Sequence, residues 1–213
     1  MPLSDRDYMK NPPPPSPRRT WRPASYGALN PVLVLIVINF VFYIATLVNS
    51  DIIFRLGLAP SLFAERPWTI LTAMFIHENF WHIFGNMITL FFFGTFLVRL
   101  IGSNWFLLLY FVGGIAGNAL YLWLGEPLSL AIGASGAIYA VAGALVVMMP
   151  RLPVRLYFLI PMPLWVVVLV FFVIWSIPGV IPGVAWQAHL GGILVGLMAG
   201  FFFRRRIRYD FYR

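Results

Sequence analysis

Ser135, His189, His82 and Asn86 are the residues of this chain whose types and placement point to joint chemistry. A serine hydroxyl becomes a nucleophile when a neutral histidine within hydrogen-bond reach takes its proton, the opening step of acyl transfer. His189 is the candidate base. The tetrahedral intermediate of such a reaction needs hydrogen-bond donors for its oxyanion. His82 and Asn86 are four residues apart, so on a helix they share a face and can point at one oxygen. The Ser135 backbone N–H, near a helix start where such donors lack partners, would add a third. Ser135 is enclosed in Gly133-Ala134-Ser135-Gly136, and Tyr139, one helical turn later, shares its face and is placed to stack on the His189 ring.

What is absent also bounds the chemistry. The seven acids are Asp5, Asp7, Asp51, Glu65, Glu78, Glu126 and Asp210, and all lie outside the long apolar blocks. The residues therefore argue for a Ser–His dyad, with the ring held by packing, and against a paired-aspartate protease. The stretch from His77 to His82 resembles the zinc motif HExxH, but its histidines are five apart and do not share a helical face. No metal and no cofactor is expected, and His77 reads as a loop or interface histidine bracing the first loop. Each residue alone has an ordinary reading: a serine at a helix crossing, a packing histidine, an asparagine joining helices. Tyr139 alone reads as a space-filling residue.

The elements that carry these residues are apolar blocks of span length. The first is Pro31 to about Val48, the second about Phe80 to Leu97, and the third Trp105 to Leu124. The fourth runs from near Gly133 to Pro150, the fifth from Arg155 to about Ile177, and the sixth from Ala185 to Phe203. Between the first two, Asp51 to Asn79 holds apolar pieces too short to cross, broken by Pro60 and Pro67, which should lie in the interface or on the bundle. Residues 1–28, basic and proline-rich, read as a disordered tail with no cleavable signal; 29–203 as the membrane domain; 204–213 as a basic tail. The class is an all-α membrane protein with six transmembrane helices. Gly192, Gly196 and Gly200 make one smooth face on the sixth span, where a neighbouring helix carrying Ala140 and Gly143 can approach closely.

Hydrophobic residues make up 61% of the 213-residue chain and charged residues only 10%, which excludes an ordinary soluble domain. Cysteine is absent, so disulfides, thiolate catalysis and cysteine metal sites are excluded together. The net charge of +8 is no nucleic-acid signal, because thirteen of the fifteen Lys and Arg flank the spans on one side; only Arg55 and Arg66 fall on the other. By the positive-inside rule both termini are cytoplasmic, in the cell membrane, with the basic runs anchored at lipid headgroups. His82, Asn86, Ser135 and His189 then all lie within roughly 10 Å of the outer helix ends at 1.5 Å per residue. Simple packing requires no such convergence.

At these positions the chain resembles the rhomboid family of intramembrane serine proteases. The matching pieces are His82 with Asn86, Gly133-Ala134-Ser135-Gly136 with Tyr139, and Ala188-His189 followed by Gly192 and Gly196, in the family's order and spacing. The similarity covers about Trp68 to Gly200. It implies a six-helix rhomboid-like bundle with an outward-opening aqueous cavity, gated through the fifth span and the loop after it. It further implies Ser135 as nucleophile, His189 as base, His82 and Asn86 at the oxyanion site and Tyr139 stacked on the base. The implied substrates are single-span transmembrane proteins, cut near the outer face at small residues after local unwinding. Two positions depart from the family: Trp68-Thr69 where Trp-Arg is frequent, and Leu97-Val98-Arg99 where many members carry Leu-Glu-Arg. Neither removes a catalytic group. A catalytically silent helix-binding relative is the alternative, and intact Ser135 and His189 count against it. A small transporter is a third reading, but no internal repeat supports it.

Overall fold

The computed structural model describes residues 30–156, 160–173, 176 and 183–211. The proline-rich tail 1–28 and the turn residues Pro178, Gly179 and Pro182 lie outside the described residues. The described chain is mostly helical, and four of its helices are long and apolar enough to cross a membrane.

Helix α1, Pro31–Val48, starts where an N-cap and a proline coincide: Asn30 accepts from the Val32 N–H at 3.0 Å, and Pro31 needs no acceptor at the first position. It buries Val32, Leu35 and Asn39 and leaves Val37, Val41 and Ile44 exposed, as suits a helix with one face on protein and the other on lipid. The connection to the next span folds on the bundle as short helices, α2 (Asp51–Leu56) and α3 (Thr69–Thr72). Its ties are made to backbone oxygens. Arg66 Nη1 donates to Phe54 O at 3.0 Å, Trp68 Nε1 to Arg55 O at 3.4 Å and Thr72 Oγ1 to Leu56 O at 2.8 Å. Thr69 is buried, and its hydroxyl donates to Arg66 O.

Helix α4, Phe80–Ile101, opens on an Asn79 cap to the His82 N–H and contains a π-helical segment at Leu90–Gly94. Helix α5 is Ser103–Leu124, α6 is Ser135–Met148, α7 is Leu164–Val167 and α8 is Trp186–Phe211. Helix α6 forms the centre. Twelve of its residues, from Gly136 to Met148, are buried between α5, α8 and the end of α4. Glycine permits that density. A Cβ on Gly192 would collide with the Gly136 carbonyl, one on Gly196 with that of Ala140, and one on Gly113 with the Ala140 side chain.

The fifth span, expected from Arg155 to about Ile177 with Pro161 and Pro163 near its start, is corrected at that start, and with it the all-α class. Residues Pro153–Leu156 (β1) and Ile160–Pro163 (β2) form an antiparallel hairpin, pairing Val154 with Met162 and Arg155 with Pro161. Proline lacks the amide hydrogen and disfavours helix in the residue before it, so Pro161 and Pro163 postpone the helix; strands on an edge tolerate both. Helix α7 begins only at Leu164, runs to Val167 and continues as a π-helical segment through Val173. Its first amides are satisfied by the preceding turn, Leu164 N to Leu152 O at 2.8 Å and Trp165 N to Pro150 O at 3.2 Å.

Candidate active site

Ser135 is the first residue of α6, and the chain leading to it is fixed from both sides. Leu58 and Ala131 exchange backbone hydrogen bonds of 3.0 and 2.8 Å, and the Gly133 N–H donates to Ala73 O at 2.8 Å. Gly133 has φ +113°, and a Cβ there would stand 2.6 Å from His82 Nε2. Backbone conformation and space both require glycine at this turn. The same virtual atom lies 3.5 Å from Asn86 Nδ2, so the polar heads of His82 and Asn86 border the turn that delivers Ser135. Asn86 Nδ2 is buried without a hydrogen-bond partner among the described residues. A buried amide donor left unmade is costly, so it is a donor waiting for an acceptor.

His189 lies in the first turn of α8, a helix held against α5 by Gln187 Nε2 donating to Leu124 O at 3.1 Å and by Gly117, which leaves space for the Ala188 backbone. His189 Nε2 stands 2.9 Å from Ser135 Oγ. The Tyr139 ring lies parallel to the imidazole, with centroids 4.1 Å apart and planes 11° off. The glycines of the motif divide the work: Gly133 makes room for His82, and Gly136 meets Ala188 and Gly192 of α8, which seats His189 at contact distance.

One polar residue at the site is absent from the sequence reading. Ser176 Oγ is 3.0 Å from His189 Nδ1 and 2.9 Å from Tyr139 Oη. A signal was available: Ser176 is the single polar residue after Trp165 in an apolar segment, the criterion that singled out Ser135.

His77 lies in the loop before α4, as expected, but in the protein interior rather than at an interface. It is fully buried, its ring edge-on to His82 at 5.0 Å between centroids. Burial, then the neighbouring His82, pushes its pKa down to about 3, so it is neutral at any physiological pH. The reason lies in tertiary packing: Ala73, Met74, Phe75 and Ile76 are all buried and draw His77 in with them. No group of three or more metal-ligating side chains occurs among the described residues.

A helical bundle with membrane-spanning segments and a serine–histidine contact at one end of its most buried helix defines a class: multi-pass membrane proteins with the groups for acyl transfer. The family comparison narrows it. A model described as the Rhomboid domain matches residues 64–206, and the chain belongs to the rhomboid family. It is 33% identical over 150 residues to Rhomboid protein 1, mitochondrial, of Saccharomyces cerevisiae, covering 65% of this chain and 42% of that one. It is 30% identical over 149 residues to RHOMBOID-like protein 1 of Arabidopsis thaliana, covering 70% and 37%. Over 77 residues it is 38% identical to the putative rhomboid protease YdcA of Bacillus subtilis, covering 36% and 38%. The matched region spans less than half the length of each of these relatives.

Proposed function

We propose that this protein is an intramembrane serine endopeptidase that hydrolyses peptide bonds in or near the transmembrane helices of single-span membrane proteins. The observation that carries the reading is the 2.9 Å approach of His189 Nε2 to Ser135 Oγ within a bundle of membrane-spanning character. Ser135 attacks the scissile carbonyl as His189 takes its proton; the imidazolium then gives that proton to the leaving amine, and water resolves the acyl-enzyme with His189 again as base. Asn86 Nδ2, His82 and the Ser135 N–H serve the oxyanion, and the unpartnered state of Asn86 Nδ2 supports that role. Tyr139 holds the ring plane. No metal or cofactor enters the reaction.

The same proposal sets the topology: six spans, both basic ends on the cytoplasmic side of the cell membrane, and the Ser135 end facing out. Helix α6 has 14 residues, about 21 Å at 1.5 Å per residue, against roughly 30 Å of hydrocarbon. With its Met148 end near the basic side, Ser135 lies several ångströms below the opposite surface, where water has only a short path.

The test is co-reconstitution in liposomes with a tagged single-span helix whose outer end is helix-destabilised. Cleavage by the wild type and none by Ser135→Ala is the expected result. Silence from both across several such helices favours the alternative, a catalytically silent member that binds transmembrane helices.

A further inference from the structure

We propose that Ser176 is a positioning residue that fixes the His189 imidazole in its base-competent tautomer, so that the working unit is Ser135–His189–Ser176 rather than a bare dyad. This rests on the proteolytic reading above. The tautomer of a histidine is set by what its other nitrogen meets. To accept the Ser135 proton, Nε2 must carry a lone pair and Nδ1 the hydrogen. That hydrogen needs an acceptor, and Ser176 Oγ lies 3.0 Å from Nδ1. Stacking on Tyr139 fixes the plane of the ring but not which nitrogen is protonated, since a π-face neither donates nor accepts along the N–H direction.

The hydroxyl of Ser176 is itself constrained. Tyr139 Oη at 2.9 Å gives it a partner for its own hydrogen, leaving its lone pairs to Nδ1–H. When Ser135 Oγ–H passes its proton to Nε2, the imidazolium keeps its Nδ1–H bonded to Ser176 and the new Nε2–H faces the substrate's leaving nitrogen. Without Ser176 the charged ring loses its acceptor at Nδ1, and the ring is free to present Nε2–H to Ser135, a donor where an acceptor is needed. The seven acids all lie outside the apolar blocks, so a neutral hydroxyl fills the place that an aspartate takes in soluble triads. A hydroxyl is also cheaper to keep in a low-dielectric bundle than an ionised carboxylate. Ser176 follows α7, whereas Ser135 and Tyr139 belong to α6 and His189 to α8, so the orientation of the base depends on the placement of a third segment.

Three readouts on the full-length protein test this. In the liposome assay, Ser176→Ala should lower kcat about tenfold to a hundredfold, less than the ~10²–10⁴-fold a general base contributes as a whole, with KM within about twofold. Ser176→Thr, which keeps the oxygen, should recover most of the rate. With histidine ring nitrogens labelled by 15N in micelles, and His189→Ala for assignment, the wild-type resonance should report protonated Nδ1 and Ser176→Ala a mixture of tautomers. An unchanged kcat in Ser176→Ala, or an unchanged tautomer, would overturn the proposal. Should the wild type cleave nothing, the proteolytic reading fails, and the nitrogen resonances still decide whether Ser176 orients His189.

Discussion

At the scale of single residues, the site is a set of short polar contacts in an apolar interior, and each makes a separable contribution. If His189 is the base as proposed, His189→Ala should abolish cleavage, leaving the protein folded and membrane-inserted; retained cleavage in the liposome assay would sink the proposed dyad. On the proposed reading of Asn86 as one of several oxyanion donors, Asn86→Ala should cost about 1–3 kcal/mol in barrier, roughly fivefold to 150-fold in kcat. An unchanged rate would remove Asn86 from that role. Ser135, His189, His82 and Asn86 stand out in the sequence because a polar side chain in an apolar span needs a reason. Ser176 met the same criterion and was not singled out, since a lone serine usually satisfies itself on a carbonyl one turn back. Its partners, Tyr139 and His189, are brought to it by packing alone.

At the scale of elements, close approach between α6 and α8 sets the 2.9 Å contact, and glycine sets the approach. Gly192→Val should force the helices apart at Gly136, destabilising by about 1–3 kcal/mol or more and cutting activity with it; a lowered melting temperature in detergent checks this. Acid should loosen the first loop through His77. Its pKa is about 3 when folded and near 6.5 when exposed, so above pH 6.5 it adds no pH dependence. Between pH 6.5 and 3 the unfolded chain binds a proton that the folded one refuses, and stability falls by up to about 1.4 kcal/mol per pH unit. His77→Asn should therefore flatten the acid limb of melting temperature against pH, and an equally steep limb would contradict the account. The span from Pro31 to about Val48 is legible in the sequence, since a cap, a proline and an unbroken apolar run agree there. The hairpin at Pro153–Pro163 was not, because its apolar residues match the start of a span and only the positions of Pro161 and Pro163 speak against one. The burial of His77 was also illegible, as its sequence neighbours Glu78 and Asn79 are polar and exposed.

At the scale of the whole molecule, the account requires the Ser135 end of the bundle and the arginine-rich ends to face opposite compartments. The chain has no cysteine, so single introduced thiols report sidedness without background. Both Glu126, beyond α5, and Arg151, beyond α6, are exposed. In oriented membranes Glu126→Cys should react with an impermeant maleimide from the outside only, and Arg151→Cys from the cytoplasmic side only. Labelling of both from one side would break the six-span topology.

The central claim, that Ser135 cuts transmembrane helices with His189 as base, is tested most directly by comparing wild type and Ser135→Ala against a tagged, outer-end-destabilised single-span helix in liposomes. The account predicts a discrete product near the outer end of that helix with the wild type and none with Ser135→Ala. Equal cleavage by both would show that the hydroxyl of Ser135 is not the nucleophile.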